Sequence, residues 1–150
     1  MTGNYDRIAR YYDALSRLAF GQVLVRTQRY LVAGIAPGAH VLIVGGGTGW
    51  VLEEIDRVHA SGLHITFVDA STRMVARARK RYKGQNDVVF VAQPIENIDL
   101  TASYDVVMTP FFFDNFSDAT SRDIFEQLDH ALAKDGLWLH CDFVETKSFW

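Results

Sequence analysis

Four glycines at 45, 46, 47 and 49 and an aspartate at 69 are the residues whose types and spacing can do chemistry together. The glycines follow the apolar run Val41-Leu42-Ile43-Val44, which reads as a buried strand. A helical pattern follows them at once, with Val51, Leu52, Ile55 and Val58 on one face. A strand, a glycine turn and a helix bring a nucleotide-like ligand against bare backbone, where side chains would block its approach. Asp69 ends the next apolar run, Ile65 to Asp69, and a carboxylate there can accept both ribose hydroxyls of an adenosine. The bland alternative is that Asp69 only caps the next helix.

The spacing selects among adenosine ligands. A dinucleotide fingerprint that starts at Gly45 needs a third glycine at 50, which is Trp50; one that starts at Gly46 fails at Thr48. A phosphate-cradling loop needs Gly-Lys-Ser/Thr, and the turn has no lysine. Three further groups, Asp114, His140 and Asp142, follow predicted strands and are candidate proton acceptors. His140 and Asp142 alternate onto one strand face, but two such residues are too few for a metal site, and no metal is expected. His40, His59, His64 and His130 are scattered and read as ordinary surface or strand-edge residues.

These residues need a scaffold. Residues 4 to about 34 read as helix with a break at Gly21, and the stripe Val23, Leu24, Leu31, Ile35 belongs to its second part. Gly34, Pro37 and Gly38 stop that pattern. Ser71 or Thr72 can cap a helix that turns Met74, Val75, Ala78 and Tyr82 inward. Strands follow at 88–91 and 104–109. Asp118 can cap a helix with Ile124, Phe125, Leu128 and Leu132 on one side, and Asp135-Gly136 turns into a fifth strand, 137–143. Strands that alternate with helices predict an α/β, doubly wound, mostly parallel sheet, with ligands beyond the carboxyl ends of its strands. Two segments are expected: an N-terminal helical lid over 1–38 and an α/β core over 39–150.

The spacing Gly45-x-Gly47-x-Gly49 resembles the first motif of the class I S-adenosylmethionine (SAM) methyltransferases. The resemblance extends over Tyr5-Asp6-Arg7-Ile8-Ala9-Arg10-Tyr11-Tyr12-Asp13, Val68-Asp69-Ala70-Ser71, Tyr104-Asp105-Val106-Val107 and Leu132-Ala133-Lys134-Asp135-Gly136. The small-molecule branch that includes ubiquinone and menaquinone biosynthesis enzymes is the part of the family it looks like. The resemblance implies a Rossmann-like sheet of order 3-2-1-4-5, SAM as cofactor, and a lid over it that carries Tyr11. It implies a cofactor site of Gly45, Gly46, Gly47, Gly49, Asp69, Ala70 and Thr109, with Met74, Ile95 and Glu96 near the adenine. It also sets the loop Pro110 to Phe116 between the sulfonium and the methyl acceptor. Four phenylalanines there suit an apolar or aromatic small molecule.

Two positions depart from the family pattern. Ile43 stands where an acid usually helps hold the methionine amino group; backbone carbonyls near Gly45 and Thr109, or Asp6 or Asp13, are the substitutes considered. Pro94 stands where an adenine-reading Asp often lies, and Gln93 or Glu96 can take over. The family sheet ends in a hairpin of two further strands, which are expected to be missing here. The fifth strand is then an apolar edge, covered by further chain or by a second subunit.

Bulk properties fit this reading. The chain has 150 residues, 49% of them apolar and 22% charged, with net charge −3. That gives no general attraction to nucleic acid or anionic membrane, and no apolar stretch is long enough to span a bilayer. The basic run Arg73, Arg77, Arg79, Lys80, Arg81, Lys83 reads as a solvated helix end. Cys141 is the only cysteine, so no internal disulfide forms, and a cytoplasmic location is expected. The competing readings are a non-catalytic domain that binds SAM or S-adenosylhomocysteine and, disfavoured by Trp50, an NAD-binding oxidoreductase domain.

Overall fold

A computed structural model describes residues 22–142. In chain order it contains α1 (Gln22–Val32), β1 (His40–Val44), α2 (Trp50–Val58), β2 (Ser61–Asp69), α3 (Thr72–Arg81), β3 (Gln85–Ala92), β4 (Tyr104–Pro110), α4 (Asp118–Ala131) and β5 (Leu132–Cys141). The sheet order is β3-β2-β1-β4-β5, with every neighbouring pair parallel. This is the predicted doubly wound sheet. The chain runs outward in one direction from β1 to β3, then returns to start β4 on the other side of β1. That reversal leaves a crevice at the carboxyl ends of β1 and β4.

Side-chain alternation builds the three layers. Val41 and Ile43 face one way and pack with Leu31 and Val32 of α1 and Val51, Leu52 and Ile55 of α2. Leu42 and Val44 face the other way and pack with Ile124, Leu128 and Ala131 of α4. Val41 to Val44 are at most 1% exposed, so these four positions of β1 are all apolar; only His40 at its start is exposed. Tyr11 and residues 1–21 of the lid expected over 1–38 lie outside the described part of the chain, while α1, within 22–38, packs into the core through Leu31 and Val32.

Several local expectations change. Val58 is 52% exposed, while Glu54 on the same helix is 4% exposed. The apolar stripe turns because α1 docks on that flank and supplies a counter-charge: Arg29 reaches Glu54 at 2.8 Å, and Arg57 adds a contact at 3.2 Å. Val23, expected inward, is exposed at the start of α1. Ser117, not Asp118, caps α4; its hydroxyl accepts the Thr120 N–H. A serine oxygen one residue earlier meets the first turn, and Asp118 then lies inside that turn, favourably placed against the helix dipole. Phe125 is exposed on α4 but stacks on Trp138 with centroids 4.7 Å apart. Strand β5 begins at Leu132 instead of 137, and its register against β4 shifts between Tyr104 and Val106. The residues expected as a turn are absorbed as an irregularity in the ladder.

Candidate active site

The loop from β1 to α2 is fixed by its own backbone. Gly45, Gly47 and Gly49 have φ of 73°, 60° and 86°, a conformation that costs L side chains strain, so the alternate spacing follows from geometry. Gly46 is needed for a different reason. A Cβ there would lie 2.2 Å from the ring of Phe67, a fully buried β2 residue. The Gly45 and Gly46 N–H groups both donate to the Val68 carbonyl, at 2.9 and 3.3 Å, which ties the loop to β2.

Asp69 completes the tie. Its Oδ2 accepts the Gly47 N–H and its Oδ1 accepts the Ser71 N–H, each at 2.9 Å. The carboxylate therefore stands at the head of β2, joined to the glycine loop on one side and to the start of α3 on the other. Ser71 caps α3 by accepting the Met74 N–H at 3.2 Å. Asp69 is not the cap, which removes the bland reading of that residue.

Beside Asp69 lies a cavity of about 340 Å³. Gly45, Gly47, Asp69, Ala70, Met74, Ile95 and Glu96, all candidates from the sequence, line it together with Val44, Val68, Ser71 and Pro94. The opposite wall is Phe111, Phe112, Asp114, Asn115 and Phe116. Its charged lining groups among the described residues are Asp69, Glu96 and Asp114, with no lysine, arginine or histidine.

Other predicted residues stand behind the wall. Gly46 faces Phe67, and a Cβ on Gly49 would meet Ala78 of α3 at 2.9 Å, so both shape the loop from outside the cavity. Thr109 is fully buried; its hydroxyl accepts the Trp138 indole N–H at 3.0 Å and meets His140 Nδ1 at 3.0 Å. It braces β4 against β5 instead of lining the cavity, because strand alternation turns its side chain away. His140 is held by Thr109 and lies edge-on to Phe113. Asp142 accepts the Asp114 N–H at 3.0 Å. Of the three candidate proton acceptors, only Asp114 lines the cavity. Burial raises its carboxyl pKa above the usual value, and the adjacent Asp142 charge raises it further.

The particular contacts of four residues escaped sequence reading. Phe112 packs over Gly45 so closely that a Cβ there would lie 2.7 Å from its ring. Asn115 clamps the aromatic loop, donating to the Phe112 carbonyl and to Asp114 Oδ1 at 2.9 Å each. Phe111 has a positive φ of 54°, rare for a bulky residue, and its N–H donates to the Cys141 carbonyl at 2.8 Å. Arg81, read as part of a solvated run, reaches back to the Thr48 hydroxyl at 3.1 Å and lies over the Trp50 ring.

The fold and this crevice agree with what the chain is similar to. The family described as "Methyltransferase domain" matches residues 41–136. The chain is 32% identical over 140 residues to a malonyl-[acyl-carrier protein] O-methyltransferase of Bacillus anthracis, covering 93% of this chain and 48% of the relative. Among solved structures, a DhpI–SAH complex superposes with TM-score 0.76 at 24% identity, over 91% of this chain and 64% of that one. The plantazolicin methyltransferase BpumL with SAH gives TM-score 0.61 at 19% identity, over 91% and 59%. The chain belongs to the methyltransferase domain family. It spans about half the length of the curated relative it matches.

Proposed function

We propose that this chain is the cofactor-binding core of a SAM-dependent methyltransferase acting on a small, apolar or aromatic acceptor. One observation carries the reading: Asp69 is joined by a hydrogen bond to the glycine loop beside a cavity whose charged lining groups, among the described residues, are carboxylates. A sulfonium cofactor suits such a lining. A dinucleotide fits the turn less well, because the third glycine of its fingerprint would fall at position 50, which is Trp50.

The cradle suits the cofactor on its own geometry. Bare backbone at Gly45 and Gly47 admits it closely, and the Asp69 carboxylate lines the cavity where the two ribose hydroxyls would donate to it. Met74 and Ile95 give the adenine apolar faces, and Glu96 and Ala70 stand at its edge. SAM supplies a methyl group already activated on sulfur. The protein's work is then alignment and exclusion of water. Phe111, Phe112 and Phe116 serve the second task and give the acceptor an apolar wall. A base is needed only where the acceptor must lose a proton. Asp114, His140 and Asp142 are the candidates for that step, and Asp114 alone reaches the cavity wall.

Calorimetric titration with SAM, S-adenosylhomocysteine and NAD tests the cofactor. Binding of the first two and not the third is expected; binding of NAD alone overturns the reading. Transfer of tritium from methyl-labelled SAM into a metabolite extract separates an enzyme from a binding domain.

A further inference from the structure

One edge of the cavity hangs on a residue that does not line it. Residues 93–103, between β3 and β4, contain neither strand nor α-helix. Within them Ile95–Asn97 form a single 3-10 turn, and Pro94, Ile95 and Glu96 line the cavity. The turn's own support is slight. The Asn97 N–H donates to the Pro94 carbonyl and the Ile98 N–H to the Ile95 carbonyl, each at 3.0 Å. Pro94 has no N–H to give, and no side chain caps the turn.

Gln127 of α4 supplies the missing support. Its Nε2 donates to the Ile95 carbonyl and to the Ile98 carbonyl, each at 2.9 Å. A side-chain amide has two N–H donors, so both are committed to this turn. The two carbonyls bracket Glu96 and Asn97. Apolar packing sets where the turn lies: Ile95 is buried with Ile124 and Leu128 of the same helix. A buried isoleucine makes no directional bond and leaves the rotation of the turn open. Two hydrogen bonds from one planar amide close it. A glutamine on a helix is often only a solvated polar residue; this one is half-buried and reaches a loop 29 and 32 residues away.

Resting on the SAM reading above, we propose that Gln127 is a positioning residue for base selection: it orients the 94–98 turn so that Glu96 meets the amino group of the adenine. An ionised carboxylate only accepts hydrogen bonds. It matches an amino group and mismatches a purine with oxygen at that place. Gln127 acts through the turn, and its loss removes the orientation on which that discrimination depends.

The test compares S-adenosylhomocysteine with S-inosylhomocysteine, which has oxygen in place of the adenine amino group. Calorimetry on the full, unaltered chain is expected to show tighter binding of the first. Gln127→Leu is expected to weaken S-adenosylhomocysteine by about three- to tenfold, the worth of one oriented hydrogen bond, and to leave S-inosylhomocysteine unchanged. Asp69→Ala lowers both alike, since the two ligands share their ribose. Retained S-inosylhomocysteine binding also reports that the variant is folded; should Gln127→Leu fail to fold, Gln127→Met, which keeps the length of the side chain without its amide, carries the same comparison. Equal losses for both ligands would reduce Gln127 to a stabilising contact and overturn the assignment. So would unchanged S-adenosylhomocysteine affinity, or an unaltered protein that binds the two ligands equally. An unaltered protein that binds neither would overturn the SAM reading itself.

Discussion

The two walls of the cavity are made in different ways. The wall under β1 and β2 is backbone: the glycine loop, its N–H groups on Val68, and Asp69 spanning Gly47 and Ser71. Nearly every residue type there is dictated by a φ angle, a close approach or a hydrogen bond. The wall after β4 is side chain: the Phe112 ring meets those of both Phe113 and Phe116, with Asn115 as the clamp. Ring packing constrains volume and shape but not atom-by-atom identity. The first wall thus suits a ligand that never changes. The second suits a partner that differs from one family member to the next.

Substitutions can break this contrast. The largest effect is expected at Gly46→Ala, whose Cβ would collide with the buried Phe67 ring. A loss of about 2–3 kcal/mol in urea denaturation follows from overpacking; a neutral result would mean the loop can yield. Next comes Asp69→Ala. Loss of one desolvated acceptor predicts SAM affinity down more than tenfold, over ~1.4 kcal/mol, by calorimetry. Unchanged affinity would refute the ribose role. On the other wall, Phe116→Leu keeps most of the apolar volume and should cost less than about 1.5 kcal/mol. It is expected to leave S-adenosylhomocysteine affinity intact while altering which acceptors take the label. A matching drop in cofactor affinity would erase the distinction between the walls.

Smaller still is Ser117→Ala, which removes the cap of the helix behind the aromatic loop and should cost about 1 kcal/mol in thermal or urea unfolding. The smallest effect concerns pH. Asp114 is raised above its ordinary 3.8 by burial and then by Asp142. A carboxyl with a raised folded pKa gives stability that is complete below the unfolded value and lost as pH rises through the folded value. Asp114→Asn should therefore gain stability relative to the unaltered protein as pH climbs through that window. Parallel Tm curves for the two proteins would show that the pair of acids is not strained.

The glycine wall was largely legible in the sequence. The positive φ values at 45, 47 and 49 recur at alternate positions, and Asp69 follows one helix and one strand later, so local rules suffice. The aromatic wall was legible only as composition. A run of phenylalanines says that something apolar is enclosed. It does not say that Phe112 covers Gly45 or that Asn115 fastens the turn. Thr109 was misplaced for the related reason that the end of a strand has two faces, and only its neighbours choose between them.

The chain's own periodicities determined the succession of strands and helices, the buried β1, and a turn that no bulky residue can make. Those are short-range facts, set by φ preferences and by which side chains leave water. Tertiary structure alone decided the meetings: Arg81 with Thr48, 33 residues apart, and Asp114 with Asp142, 28 apart. Strand order creates these contacts by setting β2, with the helix that follows it, beside β1 and β4 beside β5. No spacing along the chain encodes a neighbour delivered from the far side of a sheet.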